Sequence, residues 1–91
     1  MPCLTKTITI VNKLGLHARA ATKLAQLSQQ FDAQVCVELE GNSADAQSVM
    51  ALMLLAGGQG KSVTVKAQGK EAEQALTSIC QLISDKFEEP E

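Results

Sequence analysis

The only histidine of the chain, His17, lies where two different hydrophobic periodicities meet. An alternating apolar segment precedes it and an apolar helical pattern follows, so we expect it at a strand-to-helix junction. The first turn of a helix leaves backbone N–H groups without partners and carries the positive end of the helix dipole, which attracts anions. Neutral imidazole is a nucleophile, and Arg19 adds a planar cationic donor. The sequence therefore predicts a nucleophile beside an anion-binding turn.

Taken alone, this pattern supports several functions, because a histidine at such a junction more often caps or turns the chain. A regulatory module that binds partners without any chemistry would be indifferent to His17→Ala. A small acylphosphatase-like enzyme could use Arg19 near backbone amides, and it would hydrolyse acyl phosphates without a protein donor. Both alternatives stay open at the level of the local motif.

Length and composition indicate one small domain over residues 1–91, with a core over about 4–87 and a frayed acidic tail over 88–91. The core must be aliphatic, since Phe31 and Phe87 are the only aromatic residues. A net charge of −2 without any basic cluster argues against nucleic acid or an anionic membrane as partner. The sequence has neither a signal-peptide core nor an apolar run of about 20 residues, so we expect a cytoplasmic protein.

The three cysteines do not form a recognisable framework. Cys3, Cys36 and Cys80 are odd in number, far apart and outside any Cys-x-x-Cys pair. Neither disulfides nor a tetrahedral metal site follow from that spacing. We expect free thiols, no metal site and no cofactor.

Periodicity predicts the order strand, helix, strand, strand, helix, strand, helix. Alternating segments indicate strands, spacings of three and four indicate helices, and a Glu40-Gly41-Asn42 turn joins the middle strands. This order implies an α+β fold, a two-layer open-faced sandwich of a four-stranded, largely antiparallel sheet with three helices on one face. The predicted ranges are 5–11, 18–30, 34–39, 43–46, 49–56, 62–67 and 70–87.

The second predicted helix is short and unusually apolar. Ser48 is its candidate N-cap, eight apolar residues follow, and Gly57 is its candidate stop. A two-turn helix on a sheet buries only about half of its circumference, so an apolar docking patch is expected. Its leading contact residues are Val49, Met50 and Met53. The alternative is a central helix buried on all sides.

Together, Gly15-Leu16-His17-Ala18-Arg19, the element order and the Ser48-led apolar helix resemble the HPr family, the histidine-containing phosphocarriers of the bacterial phosphotransferase system. The resemblance covers about residues 4–87. It implies the HPr-like βαββαβα fold, phosphorylation of His17 at Nδ1, and Arg19 as the active-site arginine. The segments around Asn12, Phe31 and Ser48 are similar to the nitrogen-related, NPr-type branch.

The resemblance also implies a role and partners. Such a carrier is not itself an enzyme: it takes a phosphoryl group from phosphoenolpyruvate-charged enzyme I and passes it to a IIA protein or domain. The backbone N–H groups of Ala18, Arg19 and Ala20 would hold the phosphoryl oxygens. Ser48 matches a position that an HPr kinase/phosphorylase modifies in some members, although a simple helix cap explains it equally well. We expect a monomer. Ala20 departs from the proline usual in the family and predicts a less rigid helix start.

Overall fold

The fold is a four-stranded sheet covered on one face by helices. The computed structural model describes residues 3–55 and 58–88, and of residue 88 only the backbone. The strands are β1 (Leu4–Thr9), β2 (Gln34–Leu39), β3 (Asn42–Asp45) and β4 (Ser62–Gln68), and the helices are α1 (Ala18–Ser28), α2 (Val49–Leu54) and α3 (Ala72–Ser84). A short 3₁₀ turn over Lys86–Glu88 follows α3. The predicted α+β sandwich is confirmed.

All strand pairs are antiparallel, and the sheet has the order β1-β4-β2-β3. The last strand in the sequence is therefore an inner strand, between β1 and β2. The alternation predicted for β2 is confirmed, because Val35, Val37 and Leu39 are buried against the helices. On the opposite face, the hydroxyl groups of Thr7 and Thr64 lie 3.2 Å apart across the β1–β4 pair.

The core lies between the sheet and the helices and is almost entirely aliphatic, as the composition requires. Its largest fully buried apolar side chains include one aromatic ring, that of Phe87. The helices add to the inward residues of the strands a set of buried apolar side chains, which are Ala20, Ala21, Leu24, Ala25, Leu52, Ala72, Ala75, Ile79, Cys80 and Ile83.

Two loops at the end of the sheet distant from His17 are joined tightly. The Asp32 amide donates to Oε1 of Glu71 at 2.7 Å, and the Glu71 amide donates to the Asp32 carbonyl at 2.9 Å. Gly69 follows β4 with a φ of +127°, and a Cβ built there would lie 3.0 Å from the Cα of Ala33. This closeness explains a glycine at that position, since any side chain would push the two loops apart.

The prediction of one continuous helix over 70–87 is wrong at its C-terminal end. Helix α3 ends at Ser84, and Lys86 and Phe87 then adopt left-handed φ values of 58° and 54°. This turn carries the Phe87 ring into the core, where it is fully buried, and the Phe87 carbonyl accepts a 2.9 Å hydrogen bond from Lys23 Nζ on α1. Burial of the ring opposes the local strain of the turn. The predicted tail lies mostly outside the described residues.

Other differences are small. Strand β1 ends at Thr9, two residues earlier than predicted, although Ile10 still exchanges 2.8 Å backbone hydrogen bonds with Lys61 and Gly60. Helix α1 ends at Ser28 instead of residue 30. The predicted stop of α2 at Gly57 lies outside the described residues.

Candidate functional site

His17 is the N-cap of α1, as the sequence predicts. Its backbone is extended, with φ −79° and ψ 179°, and its carbonyl accepts the Ala21 amide at 2.9 Å. The imidazole folds back over the helix start, where Nδ1 accepts a hydrogen bond of 3.3 Å from the Arg19 amide. An accepting Nδ1 carries a lone pair, so the proton of the neutral ring belongs on Nε2. The nucleophilic nitrogen thus faces the positive end of the helix.

The first turn of α1 carries three backbone donors, the amides of Ala18, Arg19 and Ala20. The Arg19 amide is engaged by the imidazole, whereas the described residues supply no acceptor for the amides of Ala18 and Ala20. Unpartnered first-turn amides are an anion-binding arrangement. The Ala20 side chain is fully buried. Its backbone amide is a donor that a proline at this position would not provide.

Arg19 is exposed on the second residue of α1. Among residues 3–55 and 58–88, no carboxylate forms an ion pair with its guanidinium. A cation in this position is available to a doubly charged phosphoryl group, to which a guanidinium can donate two parallel hydrogen bonds.

Asn12 holds the loop that carries His17, a role that the sequence reasoning missed. Its side chain is fully buried, and Nδ2 donates to the Gly15 carbonyl at 2.9 Å. The Gly15 amide donates back to the Asn12 carbonyl at 3.3 Å, and Gly15 has a φ of +64°. The signal was present as Asn-x-x-Gly, which is typical of a turn, but a buried asparagine is not predictable from it.

A second loop supports the first from the α2–β4 connection. The Gly60 amide donates to the Ile10 carbonyl at 2.8 Å, and Nε2 of Gln59 donates to the Val11 carbonyl at 3.2 Å. Both donors lie just before β4, which is an inner strand of the sheet. These hydrogen bonds therefore fix the position of the His17 loop relative to the sheet. The position of His17 is therefore determined by tertiary contacts as well as by its own helix.

Helix α2 presents the expected apolar patch. Met50, Met53 and Leu54 are 74%, 45% and 80% exposed, whereas Leu52 is completely buried. Val49 is half-buried at the start of the helix. The alternative of a helix buried on all sides is thus excluded. Since α2 packs on α1, the patch lies on the side of the molecule that includes the helix of His17.

Two exposed leucines lie outside the predicted set. Leu54 is the most exposed large apolar side chain of α2, and Leu14, in the His17 loop, is 66% exposed. The apolar run predicts a patch but does not predict which side chains are most exposed, because eight consecutive apolar residues have no periodicity that would indicate the buried side of the helix. We call the exposed side chains of Met50, Met53 and Leu54 on α2 the apolar patch.

Ser48 is the N-cap of α2. Its Oγ accepts a hydrogen bond of 3.2 Å from the Ala51 amide, and its carbonyl accepts the Leu52 amide at 3.0 Å. The capping role predicted for Ser48 is confirmed, and it accounts for the serine by itself.

The other groups that could react or bind a ligand are the three thiols. Cys3, Cys36 and Cys80 are all free, as expected, and burial raises the pKa of the Cys80 thiol. Over the described ranges, no three or more His, Cys, Asp or Glu side chains group in a way that could hold a metal ion. In the same part of the chain, none of the helices has the length and apolar character needed to cross a membrane.

Comparison with known proteins agrees with this geometry. The family model described as "PTS HPr component phosphorylation site" matches residues 4–85. Phosphocarrier protein NPr of Shewanella violacea is 47% identical over 98% of both chains, and phosphocarrier protein HPr of Cupriavidus necator is 43% identical over 97% of this chain and 99% of its own. A crystal structure of HPr-C-His from Thermoanaerobacter tengcongensis superposes with a TM-score of 0.92 at 38% identity, covering 97% of this chain and 99% of that one. The chain belongs to the HPr family of phosphocarrier proteins of the phosphotransferase system.

Proposed function

We propose that His17 accepts a phosphoryl group on Nδ1 from phosphoenolpyruvate-charged enzyme I and passes it to a IIA protein or domain. The observation that carries this proposal is the 3.3 Å hydrogen bond from the Arg19 amide to Nδ1. In this hydrogen bond Nδ1 is the acceptor, which supports a lone pair on that nitrogen in the neutral ring, close to the first-turn amides. The relay operates in the cytosol with a monomeric carrier.

The transfer step exchanges one hydrogen-bond acceptor for another. The Nδ1 lone pair attacks phosphorus as the bond from phosphorus to the donor protein breaks on the opposite side, and the Arg19 amide moves from Nδ1 to a phosphoryl oxygen. The amides of Ala18 and Ala20 supply two further donors. Each interaction at a helix end is worth only ~0.3–1 kcal/mol, which orients the group without preventing its release.

Arg19 supplies the remaining positive charge. Its guanidinium is exposed, so it can reach phosphoryl oxygens contributed by either partner during transfer. Because phosphoryl transfer depends mainly on alignment and charge stabilisation, a carrier needs no further acid or base. Ala20 in place of proline leaves this chemistry intact and adds one donor.

Partners dock on the apolar patch and on Val49. Exposed methionines suit a surface that receives both a donor and an acceptor protein, since their flexible side chains adapt to different shapes. In this proposal the same partner covers the patch on α2 and the exposed Leu14 of the His17 loop. The high identity to an NPr protein favours the nitrogen-related branch for both partners.

Ser48 is a candidate for regulatory phosphorylation by an HPr kinase/phosphorylase. A phosphate on its Oγ would replace the present cap of the Ala51 amide and add nearly two negative charges beside the patch. Docking of acidic partners would then weaken. In this scheme Ser48→Asp slows transfer from enzyme I, and unchanged kinetics would refute it.

The test is mass spectrometry after incubation with enzyme I and phosphoenolpyruvate. Wild type is expected to gain one acid-labile phosphoryl group that maps to residue 17, and His17→Ala is expected to gain none. Enzyme I from both the sugar and the nitrogen branch is used beside a working control carrier. No gain with either enzyme would refute the relay and favour a docking module that uses the same patch without phosphorylation.

The docking part has its own experiment. Met50→Ser removes the most exposed methionine of α2, whereas Gln74→Ser removes an exposed side chain of similar length from α3. The initial rate of transfer at low carrier concentration is expected to fall for Met50→Ser and to stay unchanged for Gln74→Ser. Equal rates for both variants would place the interface elsewhere.

A further inference from the structure

A second chemically distinctive cluster lies at the other end of the sheet, on the face that the helices leave open. In the strand register Lys66 on β4 is directly opposite Cys36 on β2, and Cys3 stands one residue before Leu4, whose partner is Ala67. Cys3 is therefore a diagonal neighbour of Lys66. Lys66 thus stands on the strand between Cys36 and Cys3, and its ammonium group lies 2.9 Å from Oε2 of Glu38.

A groove runs over this cluster. It has a volume of about 570 Å³ and is open to solvent along one side. Polar and apolar atoms contribute about equally to its surface, since the stems of the polar side chains line it together with Val35 and Ala67. The polar side chains are Cys3, Gln34, Cys36, Asp45, Gln47, Lys66 and Gln68.

The two thiols cannot form a disulfide with each other in this fold. Strand β4 separates them, so their Cα atoms are about two strand spacings, roughly 9–10 Å, apart even before the offset along the strands is added. A disulfide requires Cα atoms within about 7 Å. A disulfide at either of these two thiols therefore requires a sulfur from another molecule.

Cys3 is better placed than Cys36 for such a reaction. Cys3 is exposed, whereas Cys36 is half-buried and has Asp45 directly opposite on β3. The Asp45 carboxylate is itself turned to the Gln47 amide at 2.9 Å, on the side of the groove away from Cys3.

Lys66 supplies a fixed positive charge to the groove. Its Nζ lies 2.9 Å from Oε2 of Glu38, and this hydrogen bond, together with the charge of Glu38, raises the pKa of Lys66. The ammonium group is consequently charged at any physiological pH. It is also only partly covered by Glu38, since both side chains are 38% exposed.

We propose that this groove binds a low-molecular-weight disulfide that carries carboxylates, and that Cys3 forms a mixed disulfide with it. The Cys3 thiol loses its proton to solvent, and the thiolate attacks one sulfur of the bound disulfide. The S–S bond of that molecule breaks as the new S–S bond forms, and the departing thiolate takes up a proton. Lys66 binds a carboxylate of the ligand, and the amides of Gln34 and Gln68 bind its peptide groups.

The experiment compares two disulfides of opposite charge, oxidised glutathione and cystamine, on the reduced full chain. Intact-protein and peptide mass spectrometry follow the rate of mixed-disulfide formation at each cysteine. The measured quantity is the ratio of the glutathione rate to the cystamine rate at Cys3. Simple exposure affects both rates alike, whereas a built anion site changes their ratio.

Lys66→Gln is expected to lower this ratio about three- to sevenfold, the effect of one charge at about 7 Å in a largely aqueous setting. Glu38→Gln is expected to raise the ratio, because it releases Lys66 from its partner. Lys61→Gln is the matched control: this lysine also forms a 3.0 Å ion pair, with Glu40, but lies at the other end of β4. It is expected to leave the ratio unchanged.

Three results would overturn the proposal. A ratio that is the same in wild type, Lys66→Gln and Glu38→Gln would mean that Cys3 reacts through exposure alone. Modification of Cys36 while Cys3 stays unmodified would show that Cys3 is not the nucleophile. Failure of oxidised glutathione to modify the chain while cystamine succeeds would exclude an anion-binding groove.

Discussion

Replacing Gly15 with alanine tests whether the His17 loop works only in its observed shape. Gly15 has a φ of +64°, which is left-handed, and its two hydrogen bonds with Asn12 hold it there. An alanine in this conformation costs about 1–2 kcal/mol. The stiffer unfolded chain offsets about 0.4–1 kcal/mol of that. The net loss is thus about 1 kcal/mol, or about 4–8 °C in Tm for a domain of this size.

The control is Gly41→Ala in the β2–β3 turn. Gly41 has a φ of +85°, and a Cβ there meets nothing within 4 Å, so the substitution causes backbone strain without steric conflict. Both variants are expected to lose similar stability in thermal unfolding. Only Gly15→Ala is expected to slow phosphoryl transfer, by about 10–100-fold, because a shift of about 1 Å at a reacting group has that effect.

Both quantities come from the same protein preparations, by thermal unfolding and by transfer from enzyme I well below the Tm. If Gly15→Ala transferred at the wild-type rate after losing stability, the left-handed loop would not matter for placing His17. Equal slowing in both variants would point to a general loss of folded protein instead. The comparison thus separates geometry from stability.

Three further predictions concern the rest of the molecule. Phe87→Ala is expected to cost about 3–5 kcal/mol in urea unfolding, since its ring is fully buried, whereas Phe31→Ala, at a half-buried site, costs clearly less; equal losses would mean that the C-terminal turn is not packed in solution. Ser48→Ala is expected to cost about 1 kcal/mol by removing the cap of the Ala51 amide, and no change in Tm would contradict that role. Burial raises the pKa of Cys80 above its ordinary value of 9.0. Between the pKa of the unfolded chain and the pKa of the folded protein, the folded protein therefore keeps the thiol proton that the unfolded chain has lost. Stability from this group is therefore complete below about pH 9 and declines as pH rises through the folded pKa; Cys80→Ala should reduce that alkaline decline, and an identical pH profile would refute the assignment.

The sequence predicts the local part of the site well. His17 as N-cap follows from the change of period at that position, and Ser48 as N-cap follows from the apolar run behind it. Both are decided by interactions within a few residues, which sequence patterns report directly. The burial pattern of β2 is predictable for the same reason.

The remainder depends on distant parts of the chain. Phe87 continues the spacing of Ile79 and Ile83, so the pattern indicates helix, yet core burial is satisfied through a left-handed turn instead. Asn12 is buried next in sequence to Val11, whose carbonyl accepts a hydrogen bond from the side chain of Gln59, a residue far away in sequence. Tertiary contacts of this kind leave no local signal.

The position of β4 has a consequence for the folding pathway. Since β4 lies between β1 and β2, the first strand has no neighbour in the sheet until residues 62–68 have been synthesised. The long sequence separation of the β1–β4 pair makes its formation slow compared with the β2–β3 hairpin. During synthesis β1 therefore stays without a partner strand until β4 emerges, and its backbone N–H and C=O groups remain open to other pairings for that time.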